Sequence, residues 1–197
     1  MAVTNTFGVV GIELDGTMGI DTAKSWIAGM NGTSYLGFKD WRLPISSPVN
    51  GSEFVFNPPT NNGSTTDTGF GFTSTNSELG NLYYSSLGNL GTWIPNGNGS
   101  PFSTETQDGS GLRNFGPFLH LDPVPYYIDV AVDPSSGYNL MFFNFINGLQ
   151  DVMNGGNGGL RAWAVRDGDV SAVPLPSALW LFSSALGGLG IMRRRFG

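Results

Sequence analysis

The spacing of hydrophobic positions changes along the 197-residue chain. Ile20, Ala23, Ile27 and Met30 recur at three and four, with Trp26 beside them and Gly19, Gly29 and Gly32 flanking. That spacing predicts a short amphipathic helix. Leu79, Leu82, Tyr83, Ser86 and Leu87 repeat it after Thr75-Asn76-Ser77-Glu78. This tetrapeptide has capping-box spacing, in which the Thr oxygen accepts an amide proton and Glu reaches back, and Gly88 ends the second helix. The last third is dense in aromatic and aliphatic residues. Tyr138 to Ile146 and Leu149 to Met153 flank Asn147-Gly148, the pattern of a hairpin whose two turn positions both need positive φ. Leu160 to Val165 then places Arg161, Trp163 and Val165 on one face, with Leu160, Ala162 and Ala164 on the other. Residues 45–74 and 91–116 are rich in Gly, Asn, Ser, Thr and Pro and read as loops, with short strands at Phe54/Phe56 and Phe70/Phe72.

The end of the chain is patterned differently. Val173 to Met192 carries no charge over 20 residues, and its continuous part after Pro174 and Pro176 is Ala178 to Met192. Fifteen residues is marginal for a bilayer, and a buried soluble helix is the alternative. Leu179, Trp180, Leu181, Phe182, Leu186, Leu189 and Ile191 surround the helix rather than forming a stripe. Arg193, Arg194 and Arg195 then stop the run as cytoplasmic flanks do, so a transmembrane helix is expected at about 177–192.

Composition narrows the possibilities. Charged residues make 12% of the chain, half of the roughly 25% usual for soluble domains. Apolar residues make 40% and aromatics 13%, enough for a core and against wholesale disorder. The length suits one domain and a short appendage. There is no cysteine, hence no disulfide framework, thiolate metal site or Cys nucleophile. Of 9 basic residues three lie in the arginine triplet, so the remainder holds 6 against 15 acids, net −9. A body that acidic is not built to neutralise phosphate backbones, which excludes nucleic acid as main partner.

A proline motif, an apolar segment and a terminal basic cluster, in that order, resemble the PEP-CTERM sorting tails of Gram-negative bacteria in their VPLP variant. Val173, Pro174, Leu175 and Pro176 stand in the motif position, and Arg193, Arg194 and Arg195 form the basic end. Leu175 stands where the name-giving motif has Glu. The resemblance covers 172–197 and implies export, transient membrane anchoring and processing by an exosortase. Export calls for an N-terminal signal, and Phe7 to Ile12 is too short and glycine-broken to be its apolar region. The expectation is therefore that the natural chain starts upstream of Met1.

The body carries a second resemblance. Asp15-Gly16, Asp40-Trp41-Arg42-Leu43-Pro44, Phe143-Asn144-Phe145 with Asn147-Gly148, and Trp163-Ala164-Val165-Arg166 with Gly168-Asp169-Val170 occur in the order found in the Lcl C-terminal-like domain. That family is related to C-type lectin-like folds. The resemblance implies an α+β domain with two helices, a twisted antiparallel sheet and long loops over 1–170, its front incomplete, with the sorting tail at 171–197. The chain departs from the family where Tyr126-Tyr127-Ile128-Asp129-Val130 replaces a Trp-Ser-Ser-type segment, and in lacking the usual Trp-Leu strand before Asp15.

Candidate chemistry is sparse. His120 is the only histidine, and no G-x-S-x-G or other nucleophile pattern accompanies it, so no catalytic residue is assigned and the chain is not expected to be an enzyme. One imidazole cannot build a histidine metal cluster. Asp167 with Asp169, or Asp129 with Asp133, could offer oxygen ligands to Ca²⁺, but Asp and Gly at a strand end serve turn geometry, so no metal or cofactor is assigned. Arg42 and Arg166, near Trp41 and Trp163, read as structural cations paired to carboxylates such as Asp40 or Asp167 and stacked on indole. A sugar platform is the competing reading. Trp93, Tyr126, Tyr127 and Tyr138, in or near loops, are the candidates for an exposed glycan contact. The expectation is an exported surface or extracellular-matrix protein, adhesive or polysaccharide-associated, with exosortase and membrane as partners. The alternatives are a matrix component without specific ligand and, on a distant fold relationship, an enzyme like the cysteine-dependent formylglycine-generating enzymes.

Overall fold

The computed structural model describes residues 5–56, 66–94, 106–130, 140–154 and 159–168. The chain divides after Arg166, and of its second unit only Asp167 and Gly168 are described. The sorting motif, the apolar run 177–192 and Tyr138 therefore lie outside the described residues. Among those that are described, no helix is long and apolar enough to cross a membrane.

The first unit is α+β. Its elements in chain order are β1 (Thr17–Met18), α1 (Ile20–Gly32), α2 (Glu78–Asn81), β2 (Pro125–Ile128), β3 (Leu140–Asn144), β4 (Leu149–Met153) and β5 (Leu160–Arg161). A 3₁₀ turn follows α1 at Tyr35–Gly37, and α2 widens into a π turn at Leu82–Ser86. The strands form one sheet in the order β1-β5-β2-β3-β4. It is mixed, not antiparallel throughout: β5 runs parallel to β2, with Tyr126 opposite Arg161, while the other neighbours are antiparallel. Pairing between sequence neighbours alone would have given an antiparallel meander. Here β5 bypasses the hairpin and pairs with a strand more than thirty residues earlier.

Alternation along each strand feeds two cores, because successive side chains leave a strand on opposite faces. Tyr126, Ile128, Met141, Phe143 and Val152 pack on one face with Leu79, Tyr83 and Leu87 from the α2 segment. Tyr127, Leu140 and Leu160 pack on the other with Ala23, Ile27 and Met30, the predicted stripe of α1. The 160–165 alternation holds too: Trp163 packs with the first core, Leu160, Ala162 and Ala164 with the second.

Three local expectations are corrected. The helix cap is Ser77, whose Oγ accepts the Gly80 N–H at 3.1 Å, and not Thr75. Glu78 does not reach back, because its carboxylate is held by Arg42 at 2.7 and 2.8 Å and by the Ile45 N–H at 2.8 Å. A bidentate ionic pair outcompetes a single local amide bond. The hairpin turns over four residues, Phe145 to Gly148, since Asn144 pairs with Leu149. Only Gly148 of the Asn-Gly pair has positive φ, at +81°. Phe145 leaves the ladder because its ring is fully buried among Tyr83, Tyr126 and Phe143. No strand forms at Phe54/Phe56 or Phe70/Phe72. The 66–72 segment is instead strapped to β4, by Gly69 bonding both ways with Gln150 and by the Gln150 side chain reaching the Asp67 carbonyl at 2.9 Å.

Candidate functional site: an aromatic cleft

Beside β1 and β5 the surface opens into a cleft of about 700 Å³. Five segments and Tyr126 build it: the Phe7 turn and α1, residues 15–18, the Tyr35–Trp41 stretch, residues 117–122, and Arg161 through Ala164. Its rings form two packed sets. Phe7 meets Tyr35 edge-on at 5.1 Å and Trp26 at 6.3 Å, and Tyr35 meets Trp41 at 6.0 Å. Trp163 meets Phe118 at 5.3 Å and Tyr126 at 5.4 Å. All three tryptophans are half-buried, so each keeps part of its surface towards solvent.

Several features hold these rings. The Trp26 indole N–H donates to the Asn5 carbonyl and that of Trp41 to the Tyr35 carbonyl, both at 3.1 Å. Asn31 clamps Trp41 further: its Nδ2 donates to the Trp41 carbonyl at 2.9 Å and its Oδ1 accepts the Trp41 N–H at 2.8 Å. Phe7, Ser34 and Leu36 have φ of 51°, 51° and 53° and are the non-glycine residues of positive φ among those described. Phe7 lines the cleft and the other two bracket Tyr35, so the strained backbone collects around one set of rings. Such conformations cost about 1–3 kcal/mol each and persist where the surroundings over-determine them. Gly29 lets the strained turn approach α1, since a Cβ there would lie 2.8 Å from the Phe7 Cβ.

The polar groups gather at one end. Arg161 pairs with Asp122, and its Nε is buried without a partner. The Tyr126 hydroxyl donates to the Asp122 carbonyl at 3.3 Å, and burial pushes that phenol's pKa up. Asp15 Oδ1 accepts the Thr17 N–H at 2.9 Å and the Thr17 hydroxyl at 2.7 Å. These bonds, and then the nearby Arg161 charge, hold the Asp15 carboxyl below the usual carboxylate range. His120 is an exposed lining residue beside Leu119, which is 90% exposed. Aromatic faces with a few convergent polar groups make a binding cleft, and no nucleophile–base pair is assembled in it.

No family model, curated protein or solved structure matches the chain. The cleft must therefore be read from its own residues.

Of the described residues expected to contact glycan, only Tyr126 lines the cleft, and it is buried at 6% exposure. Tyr127 is corrected outright. It is fully buried on the opposite face of the sheet, its hydroxyl donating to the Met18 carbonyl at 2.8 Å. Both tyrosines are strand residues, so the sheet takes their rings into its two cores. Trp93 is half-buried, paired with Thr106 away from the cleft. Arg42 pairs with Glu78, and Arg166 with Asp40 at 3.1 and 3.2 Å while stacking 3.6 Å above the Phe38 ring, not an indole. Both arginines are thus paired to carboxylates, Arg42 to one that was not expected, while the Asp40 that meets Arg166 is exposed rather than half-buried and the ring beneath Arg166 is a phenyl. Asp129 pairs with Lys24 at 3.1 Å, and Asp133 and Asp169 lie outside the described residues. Among the described residues no three His, Asp or Glu side chains come close enough to hold a metal.

Sequence reasoning missed Trp26, Tyr35, Trp163, Phe118 and Asp15 as one site. Trp26 did carry a signal, a large ring at the edge of the apolar stripe of α1. The others converge from four segments spread between Asp15 and Trp163, and no local pattern joins them.

Proposed function

We propose that this chain is an exported, polysaccharide-associated surface or matrix protein: a C-type lectin-like domain followed by an exosortase-processed sorting tail. The tail supplies the address, through its proline motif, its apolar run at about 177–192 as a membrane helix, and its terminal arginines. The observation that carries the binding role is the cleft, where Trp26, Trp41 and Trp163 offer half-exposed faces beside fixed polar groups. Pyranose rings present an apolar face and a rim of hydroxyls, which matches rings flanked by hydrogen-bonding groups. The acidic balance disfavours sulfated or phosphorylated chains. The domain positions rings for contact with a ligand, which supports adhesion as its work.

Purified full-length chain in detergent, incubated with immobilised polysaccharides, is expected to be depleted from solution by at least one of them. A chain left in solution by every polysaccharide would overturn adhesion to glycan. The sorting step has its own test. Mass analysis of the mature product is expected to find Arg193 to Arg195 removed, and a product retaining them contradicts processing.

A further inference from the structure

The charge within the cleft is uneven, and that unevenness selects among glycans. Asp15, Asp122 and Arg161 are its fully charged lining residues. Arg161 is committed to Asp122 and acts on Asp15 only through space. One guanidinium thus serves two carboxylates, leaving a net negative charge in the cleft while the imidazole of His120, also in the lining, is neutral at pH 7. Asp15 is also fixed in place, since Oδ1 takes both Thr17 donors while Oδ2 accepts no hydrogen bond among the described residues. A free carboxylate oxygen is therefore presented in the same cleft as the aromatic rings, in a body whose net charge without the arginine triplet is −9. A cation benefits twice there, from the carboxylate and from the negative faces of the rings. The Trp163 indole N–H also has no protein acceptor among the described residues and is available to a hydroxyl.

We infer that the cleft takes a glycan bearing free amino groups, a glucosamine-type chain whose pyranose face lies on the tryptophans and whose ammonium faces Asp15. This rests on the polysaccharide-associated reading and sharpens it. A sulfated or uronate chain would meet Asp15 and find the cleft's only guanidinium already paired. An N-acetylated chain keeps the stacking and loses the charge.

Intrinsic tryptophan fluorescence of the full chain in detergent, titrated at pH about 7 where sugar amines remain largely protonated, reads binding directly. Glucosamine oligomers are expected to give a saturable change, N-acetylglucosamine oligomers a weaker one, and heparin-type sulfated oligomers none. Asp15→Asn keeps an amide oxygen for Thr17 and is expected to lower affinity for the amine form about tenfold, leaving the N-acetyl form unchanged. Trp163→Ala should weaken both forms, and Trp163→Phe should restore both in part, which separates lost stacking from lost fold. Equal affinity for amine and N-acetyl forms, or an Asp15→Asn variant that binds the amine form as before, overturns the inference and leaves polysaccharide association standing. Absence of binding to every oligomer overturns the inference, and polysaccharide association falls with it only if the immobilised panel also leaves the chain in solution. Displacement of the oligomer by an equal concentration of tetramethylammonium would make the cleft an ammonium cage and also overturn the glycan assignment.

Discussion

Two aromatic regions of this molecule have nearly the same ring geometry and opposite fates. On the α2 side of the sheet Tyr83, Phe143 and Phe145 pack at 5.2 to 5.5 Å and are fully buried. At the cleft Phe7, Tyr35 and Trp41 pack at 5.1 to 6.0 Å and remain half-exposed. Ring spacing therefore does not separate a core from a binding surface. The closed region is lidded by the α2 segment, with Phe54, Phe56 and Leu82 packed around it. At the cleft no described segment performs that role, and strained backbone and indole hydrogen bonds hold the rings instead. Rings that a fold fixes at local cost without covering them are what the proposed glycan contact would use.

The comparison breaks most sharply if the regions respond alike to truncation. Tyr83→Ala empties a closed site and should cost about 3–5 kcal/mol, read as a fall in the urea midpoint. Trp26→Ala removes a ring from the open region and should cost only about 1 kcal/mol while abolishing much of the glycan-induced fluorescence change. Equal stability losses would show that the cleft is simply an exposed margin of the core.

A glycine tests how tightly the closed side is packed. Gly148→Ala places a Cβ 2.4 Å from the Tyr84 hydroxyl at a φ of +81°. About 3 kcal/mol of stability should be lost, and the near-ultraviolet dichroism of the tyrosines should change. The same crowding holds the Tyr83 phenol, whose burial pushes its pKa up to about 12.

Two carboxylates sharpen the contrast through pH. Asp67, buried in the strap, accepts the Val49 and Val55 N–H groups at 2.8 and 2.7 Å, yet burial outweighs these bonds and raises its pKa. A carboxyl whose folded pKa is raised binds its proton more tightly in the native state. Its contribution is therefore full below 3.8 and declines as pH rises through the raised value. Asp67→Asn should remove that decline from a plot of urea midpoint against pH, at a cost of about 1–3 kcal/mol for the amide donor left facing an NH₂ group. Asp40 behaves oppositely. The Arg166 hydrogen bonds hold its pKa below 3.8, so its contribution is present above that value and is lost as pH falls through the lowered one. It is fully exposed, so the effect is the smallest expected here, visible in the carboxyl ¹³C titration of Asp40 and absent from Arg166→Ala.

Some of this was legible along the chain. The buried stripe of α1, the alternation of Leu160 to Val165, and the β3 and β4 runs follow from periodicity, because side-chain direction is a local consequence of backbone geometry. The cap of α2 misled because Ser77 and Thr75 are both adequate caps, and Glu78 was drawn away by Arg42, a partner 36 residues distant. Tyr126 and Tyr127 misled because tyrosine suits exposed loops and buried strands equally, and only pairing with Phe143 and Phe142 makes them a strand.

By itself the sequence determined the α+β class, both helix positions, the acidic body and the patterned tail, since each depends on near neighbours or on totals. Tertiary structure alone decided the parallel union of β5 with β2 and with it the placing of Arg161 and Trp163 beside Asp122 and Tyr126. It also decided which rings stay open. Exposure depends on what covers a residue, and the α2 segment that covers the closed side is distant along the chain from the strands it packs on.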